Sequence, residues 1–300
     1  MHYQIAHTTT YSYSQPVTLA PHLVRLRPRC DASQSLQSFS LVIDPKPLGI
    51  SQITDLDGNA VVKLWFQQEL TDRLQVQVLS QVETLRSNPF DYLMEAWALK
   101  LPIDYPASLH TQLKPYLSGQ TLHYSTALDP VAVKLAQEIH QATGGDAIAF
   151  LSELSQRIHQ TCKHTIREFG EPLAPGITWA QRLGSCRDLT VLFMEACRAM
   201  GLAARFVSGY EAGDRQATER HLHAWAEVYL PGAGWRGYDP TQGLAVADHH
   251  IALVASAAPG YAAPISGTLN RAGAVQSSLK YHLSIQALTD SGFSQFATNT

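Results

Sequence analysis

Three residues have the types and the spacing of a nucleophile, a base and a group that orients the base. Cys186 stands in GSCRDLTVLFMEACRAMG, directly before an apolar pattern of helical period, so its thiol lies in the first turn of a predicted helix. Unpaired N–H groups and the helix dipole favour an anion there, and we expect the thiol pKa to fall below the free value of about 8.5. The stretch indicates a thiolate nucleophile, although a cysteine at this position can also be a small core residue.

The base and its orienting group are offered by the segment HLHAWAEVYLPGAGWRGYD. His223 opens one predicted strand and Asp239 closes the next, so antiparallel pairing would bring imidazole and carboxylate together. His221 lies in the loop before the strand and is the alternative base. Pro240 ends the second strand and helps to hold the carboxylate at its end. Together with Cys186, this pattern indicates nucleophilic catalysis.

The elements that must position these residues fall into two regions. Residues 1–85 alternate apolar and polar side chains with period 2 between Pro, Gly and Asp turns, and LDGN predicts a hairpin, so a small β-sandwich or barrel is expected. Residues 86–130 are rich in proline and predict an irregular connection. We place a domain boundary near 125 and expect an N-terminal β-rich domain over 1–125 and a catalytic domain over 126–300.

The second region begins with helical signals. DPVAVKLAQEIHQATGG has an N-cap aspartate followed by proline, and DAIAFLSELSQRIHQTCKHTI predicts a second helix by the same rules. REFGEPLAPGITWAQRLGS reads as a loop before the helix of Cys186. Strands follow, and the helices with these antiparallel strands predict an α+β domain. The last strand, LKYHLSIQAL, could join either sheet.

The motifs around the three candidate residues are similar to those of a known family. GSCRDLTVLFMEACRAMGLAARFVSGY followed by HAWAEVYLPGAGWRGYDPTQG resembles the transglutaminase-like superfamily, specifically its bacterial members with an extra N-terminal β-domain. The resemblance implies a papain-like α+β fold, helices packed on an antiparallel sheet, with Cys186, His223 and Asp239 as the triad. It favours His223 over His221. Related enzymes use an upstream Trp or Gln as second oxyanion donor, for which Trp179 and Gln181 are both available.

The resemblance and the residues predict the same chemistry. The Cys186 thiolate would attack a glutaminyl or peptide amide, His223 would protonate the leaving amine, and Asp239 would hold the imidazole, which gives a thioester intermediate. We favour hydrolysis, because water needs no second binding site. Transamidation of protein glutamine is the first alternative, and a non-catalytic scaffold or binding module is the second. The expected partner is a peptide or protein substrate.

Other residues of the segment receive secondary interpretations. Trp225 and Trp235 are expected to form walls of the site, and Glu227 shares a strand face with His223 and could line the cleft. Cys197 falls on the buried stripe of the helix and should be inert. Asp188, in the first helical turn, is expected to interact with the helix dipole.

Composition narrows the remaining function classes. The chain has 300 residues, a net charge of −3 and no cluster of Lys or Arg, which argues against nucleic acid or an anionic membrane as partner. We expect a cytoplasmic protein with free thiols, no cofactor and no metal, and the oligomeric state stays open. A metal site is the competing class, built from the pairs His221/His223 and His249/His250 or from HQTCKH, where His159 and Cys162 would share a helix face.

Overall fold

The computed structural model describes residues 1–118, 127–167, 170–213, 220–270 and 275–288. The predicted domain boundary near residue 125 lies outside these residues. The first part of the described chain consists of β1 (His2–Val17), β2 (Leu19–Val24), β3 (Gln34–Asp44), β4 (Gly49–Thr54), β5 (Ala60–Trp65), β6 (Thr71–Thr84), α1 (Ala107–Leu117), α2 (Pro130–Ala142) and α3 (Ala147–Thr161). The second part consists of β7 (Lys163–His164), α4 (Pro175–Gln181), β8 (Leu183–Gly184), α5 (Cys186–Ala199), β9 (Ala204–Glu211), β10 (His223–Leu230), β11 (Gly234–Asp239), β12 (Leu244–Ala245), β13 (His250–Ser256), β14 (Ile265–Leu269) and β15 (Ser277–Leu288).

Two antiparallel sheets hold the N-terminal strands. Within the described chain their strand orders are β15-β1-β6-β3 and β14-β2-β5-β4. Alternate residues of β1, among them Tyr3 and Ile5, are buried, as the period-2 pattern predicts. The predicted hairpin turn joins β4 to β5, and Gly58 adopts a φ of 78° there, a conformation that glycine takes without steric cost.

The C-terminal strands complete these N-terminal sheets. β15 pairs antiparallel with β1 from His2 opposite Leu288 to Tyr13 opposite Ser277, and β14 pairs with β2. The sequence left open which sheet the last strand joins, because its alternation suits either one. The structure therefore pairs β15, the last described strand, with β1, the first.

The helices α2 and α3 begin where the sequence predicts. The carboxylate of Asp129 accepts from Val131 N at 2.9 Å and that of Asp146 accepts from Ala149 N at 3.0 Å, so both aspartates cap their helices. The prediction that the second helix continues through HTI is wrong. It ends at Thr161, because β7 turns extended and pairs in parallel with β8.

The segment predicted as a loop before Cys186 contains the short helix α4. Pro175 occupies the first helical turn, and Asp129 Oδ2 accepts from Gly176 N at 2.9 Å. One aspartate thus holds the N-termini of two helices. The second contact is not local in sequence, so the pattern of residues 167–185 gave no sign of it.

The second region is built on a five-stranded antiparallel sheet, whose strand order in the described chain is β12-β11-β10-β9-β13. The helix α5 packs against β9 and β10 and buries Leu189, Phe193 and Cys197. Burial raises the pKa of the Cys197 thiol well above its ordinary value, which fits the expected inert role. The arrangement of helices and antiparallel strands is the α+β class that the sequence predicts.

Side-chain amides join the N-terminal sheets to the free edge of β13. Gln34 donates to Ala252 O at 3.0 Å and accepts from Ala252 N at 2.7 Å. Asn59 donates to Ala255 O at 2.8 Å and accepts from Ala255 N at 2.9 Å. Each amide makes the two backbone hydrogen bonds that a neighbouring strand would make, so Ala252 and Ala255 are paired although no strand of the described chain lies along this edge. We call these two residues the amide clamp.

A buried histidine also joins the two regions. His7 Nδ1 lies 3.0 Å from Tyr210 OH, and Thr9 Oγ1 lies 3.0 Å from His7 Nε2. Burial lowers the pKa of His7 to about 4, so the ring is neutral at pH 7.

None of the helices in the described ranges has the length and hydropathy of a membrane span.

Candidate active site

The first turn of α5 presents Cys186 on a tightly held backbone. Asp188 Oδ2 accepts from Ser185 N at 2.8 Å and from Ser185 Oγ at 2.8 Å, which is the reach-back of a capping box. Its Oδ1 accepts from Arg167 at 2.5 Å and from Leu173 N at 2.7 Å. Burial opposes ionisation of Asp188, but these hydrogen bonds hold its pKa below the usual range. The carboxylate therefore fixes the residues just before the nucleophile.

His223 and Asp239 meet as the hairpin pattern predicts. The hairpin register sets Ala226 opposite Tyr238, so the start of β10 reaches the end of β11. His223 Nε2 lies 2.7 Å from Asp239 Oδ2, and Asp239 is fully buried. Asp239 Oδ1 accepts from Thr241 N at 2.8 Å, in the turn that follows Pro240.

The ionisation of this pair follows from mutual stabilisation. Burial alone would raise the pKa of Asp239, but the charge of His223 and the hydrogen bonds from His223 and His250 hold it far below its usual range. Burial alone would lower the pKa of His223, but Asp239 and then Cys186 raise it well above its ordinary value. His223 is therefore a protonated imidazole facing an ionised carboxylate.

The thiol of Cys186 contacts two imidazoles. Burial would raise its pKa, but hydrogen bonds to His164 and His223, together with their charges, lower the pKa to about 6. Because Nε2 of His223 is bound to Asp239, Nδ1 is the ring nitrogen left to face the sulfur. The chain thus holds a thiolate beside an imidazolium at neutral pH.

His164 is a site residue that the sequence reasoning missed. The pattern HQTCKH was considered only as a metal motif on a continuous helix, whereas His164 lies in β7, opposite Gly184 of β8. That pairing sets it beside Cys186, two residues after Gly184. The signal that could have found it is the extended pair Lys163–His164 after the helix, but a strand of two residues has no recognisable period.

His250 is a second histidine on the carboxylate of Asp239. Its Nε2 lies 3.1 Å from Asp239 Oδ2, the same oxygen that His223 binds. It is buried, and its ring meets that of Trp225 edge-on, with 5.1 Å between the centroids. The sequence singled out this residue only as half of a His-His pair.

The motifs that were considered for the competing metal site do not come together among the described residues. His159 Nδ1 contacts Thr241 O at 2.7 Å, and His249 lies 3.2 Å from Tyr3 OH through its own Nδ1. In the described chain one different group has metal-like geometry, namely His223, Asp239 and His250, whose ligand atoms lie within 4.8 Å of one another. The hydrogen bonds of both histidines to Asp239 already account for this closeness.

A cavity of about 600 Å³ opens at Cys186. The N-terminal sheet of β1 and β15 supplies one wall, and the region around α5 and β10 supplies the other. The first wall consists of His7, Thr9, Tyr11, Leu279 and Tyr281. The second includes His164, Cys186, Glu211, Arg220, His221, Leu222 and His223. The N-terminal strands β1 and β15 therefore form part of the wall of this cavity.

Of the two candidate bases, His223 lies beside Asp239, whereas His221 lies in the cavity wall against Tyr281. His221 Nδ1 is hydrogen-bonded to Tyr281 OH of β15, and the two rings meet edge-on. His221 therefore does not contact Asp239 in the described chain, and it links the loop before β10 to the N-terminal sheet.

The predicted oxyanion candidates do not line this cavity. Trp179 packs against the core from α4, and Gln181 is exposed at the end of the same helix. Both were chosen because they precede Cys186 in sequence. The helix α4, which the loop prediction lacked, points them elsewhere, and His164 occupies the position beside the sulfur.

The predicted cleft residues of the hairpin are also placed elsewhere. Trp225 is buried beneath the histidines and does not line the cavity. Glu227 accepts from Arg205 Nη2 at 2.6 Å, and the Arg205 guanidinium lies 4.2 Å from the Trp235 ring centroid. The strand alternation was correct, but Glu227 lies too far along β10 from the end that carries His223 to line the cavity.

A helix that presents a cysteine beside a histidine–aspartate pair on an antiparallel sheet defines the papain-like class of fold. Residues 3–83 match the bacterial transglutaminase-like N-terminal region, and residues 133–240 match the transglutaminase-like superfamily. The chain belongs to the transglutaminase-like superfamily. The predicted family and fold class are confirmed.

Similar proteins extend over most of the chain. The uncharacterized protein Rv2569c of Mycobacterium tuberculosis is 28% identical over 272 residues, 84% of this chain and 82% of that protein. The protein-glutamine gamma-glutamyltransferase of Pseudomonas aeruginosa is 26% identical over 190 residues, 58% of this chain but 27% of that enzyme. A solved structure from Cytophaga hutchinsonii, provisionally described as a cysteine protease, has a TM-score of 0.72 at 19% identity, and the match covers 96% of this chain and 91% of that one. This last likeness shows the fold.

Proposed function

We propose that this protein is a cysteine-dependent acyl-transfer enzyme acting on peptide or glutaminyl amides, with water as the favoured acceptor. The observation that carries the proposal is the position of the Cys186 sulfur, hydrogen-bonded to His223, which Asp239 holds in turn at 2.7 Å. A thiol pKa of about 6 makes the nucleophile available at neutral pH.

The first half of the reaction forms the acyl-enzyme. The Cys186 thiolate attacks the amide carbonyl carbon, and the carbonyl π electrons move to oxygen. The Cys186 backbone N–H, at the first helical position, has no intrahelical acceptor and can donate to this oxyanion. His223 then gives its Nδ1 proton to the leaving nitrogen, the carbon–nitrogen bond breaks, and a thioester remains.

The second half releases the acyl group. Neutral His223 takes a proton from water, the resulting hydroxide attacks the thioester carbonyl, and the carbon–sulfur bond breaks to restore the thiolate. The products are a carboxylic acid and the amine or ammonia released earlier. Asp239 stays ionised throughout and stabilises the imidazolium each time it forms.

His164 supports the developing charge in both halves. Its hydrogen bond to the thiolate sulfur brings a ring N–H to the reacting centre. When the charge moves from sulfur to the carbonyl oxygen, that donor lies within reach of the new anion. His164 is therefore the second oxyanion donor, the role for which Trp179 and Gln181 were the candidates.

Transamidation is the second candidate function. It is favoured by the similarity to the protein-glutamine gamma-glutamyltransferase of Pseudomonas aeruginosa, which spans 58% of this chain. The same thioester would form, and a primary amine would replace water as the attacking group.

The acceptor is tested with a mixed peptide digest incubated in H₂¹⁸O, with and without a primary amine, and analysed by mass spectrometry. Hydrolysis adds one ¹⁸O to a new carboxyl group, whereas transamidation adds the amine. Cys186→Ala, compared with Cys197→Ala, must abolish either product. If the wild type and Cys186→Ala give the same peptides, the catalytic proposal is wrong and the scaffold interpretation replaces it.

A further inference from the structure

We propose that His250 is a positioning residue that fixes the Asp239 carboxylate against which His223 is oriented. This inference rests on the proposed function, because it concerns the same triad. Asp239 Oδ2 accepts from His223 at 2.7 Å and from His250 at 3.1 Å. Oδ1 accepts from Thr241 N at 2.8 Å. Without His250, only His223 itself would hold Oδ2 among the described residues.

The state of the His250 ring is fixed by its surroundings. A carboxylate can only accept, so Nε2 carries the proton in the bond to Asp239. Nδ1 is buried and has no hydrogen-bond partner among the described residues, which an unprotonated nitrogen tolerates better than an unpaired N–H would. The edge-on contact with Trp225 holds the ring plane. The ring therefore presents a fixed Nε2–H donor to one oxygen of Asp239.

The backbone of His250 is held by the N-terminal region. His250 is the first residue of β13, and the amide clamp of Gln34 and Asn59 binds the free edge of that strand at Ala252 and Ala255. The N-terminal sheets thus contact the strand that carries His250. His250 itself does not line the cavity.

The expected effect separates catalysis from binding. Loss of the His250 donor frees Oδ2 to move, and the imidazole of His223 then spends less time with Nδ1 toward the sulfur. Because His250 does not line the cavity, KM should stay the same while kcat falls. For comparison, mutation of a residue that orients a metal-bound histidine lowers activity about 10-fold to 100-fold, and we expect a loss of kcat of this size.

The test compares His250→Leu with His250→Gln, whose side-chain amide can place a donor where Nε2 lies. His22→Leu is the matched control, because His22 is equally buried, bonds Ala20 O at 2.7 Å and lies outside the cavity lining. Two readouts are used: the rate of Cys186 alkylation by iodoacetamide at pH 7, and kcat with KM on a peptide found by the ¹⁸O experiment. ¹⁵N-histidine NMR reports the Nε2–H proton of His250.

We expect His250→Leu to lower the alkylation rate of Cys186 and kcat about 10-fold or more, with KM unchanged. His250→Gln should restore most of this loss. His22→Leu should keep the alkylation rate and kcat of the wild type per folded molecule. Wild-type rates in His250→Leu would overturn the proposal, and so would equal losses in the Leu and Gln variants or an Nδ1–H tautomer. If wild-type Cys186 reacts no faster than an ordinary thiol, the proposed function itself is wrong.

Discussion

His164 and Gly184 lie opposite each other in a parallel bridge of two residues on each side, and this pairing carries an imidazole to the sulfur of Cys186. The nucleophile therefore has one histidine from the sheet and a second from the segment that precedes its own helix. The consequence is a thiol with two hydrogen-bond donors, of which only one belongs to the predicted triad.

Replacing His164 should weaken the nucleophile without unfolding the protein. In His164→Leu the sulfur loses one donor, so we expect the Cys186 pKa to rise above about 6 and kcat to fall about 100-fold to 1,000-fold, the range known for one oxyanion donor. His164→Gln, which keeps a donor, should lose less. His110→Gln, at an exposed position of α1, is the control. Wild-type kinetics in His164→Leu would exclude this role.

The alkylation rate of Cys186 should depend on pH with an inflection near 6. Its lowered pKa means that the reactive thiolate accumulates as pH rises through about 6 and then stays constant, whereas an ordinary thiol gains reactivity up to about 8.5. The measurement is iodoacetamide labelling in a Cys30→Ser background, because Cys30 is exposed, with the modified peptide identified by mass spectrometry. A rate that keeps rising above pH 8 would refute the ion pair.

Neutralising Asp239 should uncouple the triad. Asp239→Asn removes the charge that raises the pKa of His223, so the imidazole loses its proton near neutral pH and the Cys186 pKa rises. We expect kcat to fall by about 10⁴-fold, as in serine-protease triads with the same change. The ¹⁵N shifts of His223 and the alkylation profile of Cys186 check the two steps separately. A protonated His223 at pH 7 in this variant would contradict the assignment.

His7 should make the fold sensitive to mild acid. Its folded pKa of about 4 lies below the unfolded value of about 6.5, so the unfolded chain binds a proton first as pH falls. Stability from this group is complete above pH 6.5 and declines between 6.5 and 4, by about 2 to 4 kcal/mol. Urea unfolding at pH 7 and pH 5 should show a smaller difference in His7→Asn than in the wild type. If the free energy of unfolding changes equally between the two pH values in both proteins, the pKa of His7 is not lowered by folding.

The amide clamp gives a residue-specific prediction. Asn59→Ala removes the acceptor of Ala255 N, and Gln34→Ala removes that of Ala252 N, each at a cost of about 1 to 3 kcal/mol. Hydrogen exchange should accelerate at Ala255 in the first variant and at Ala252 in the second. Gln37→Ala, at an exposed position of β3, should change neither. Uniform acceleration in all three variants would argue against a local clamp.

Much of the candidate active site could be predicted because its signals are local. The helix start at Cys186 follows from helical apolar spacing, and the meeting of His223 with Asp239 follows from a short hairpin. The predicted helices hold for the same reason, since Asp129 and Asp146 cap neighbouring backbone N–H groups. The errors at α4 and at the end of α3 arise where Asp129 binds Gly176 and where Leu183 pairs with Lys163, contacts that no local pattern records.

The sequence by itself determined the α+β class, because hydrophobic period, capping and hairpin turns act over a few residues. The resemblance of its motifs identified the family and predicted the triad of Cys186, His223 and Asp239. Only the tertiary structure decided the positions of His164 and His250, the sheet that β15 joins and the exclusion of Glu227 from the cavity. These depend on which strands become neighbours and in which register, and that choice is made by long-range packing across the whole molecule.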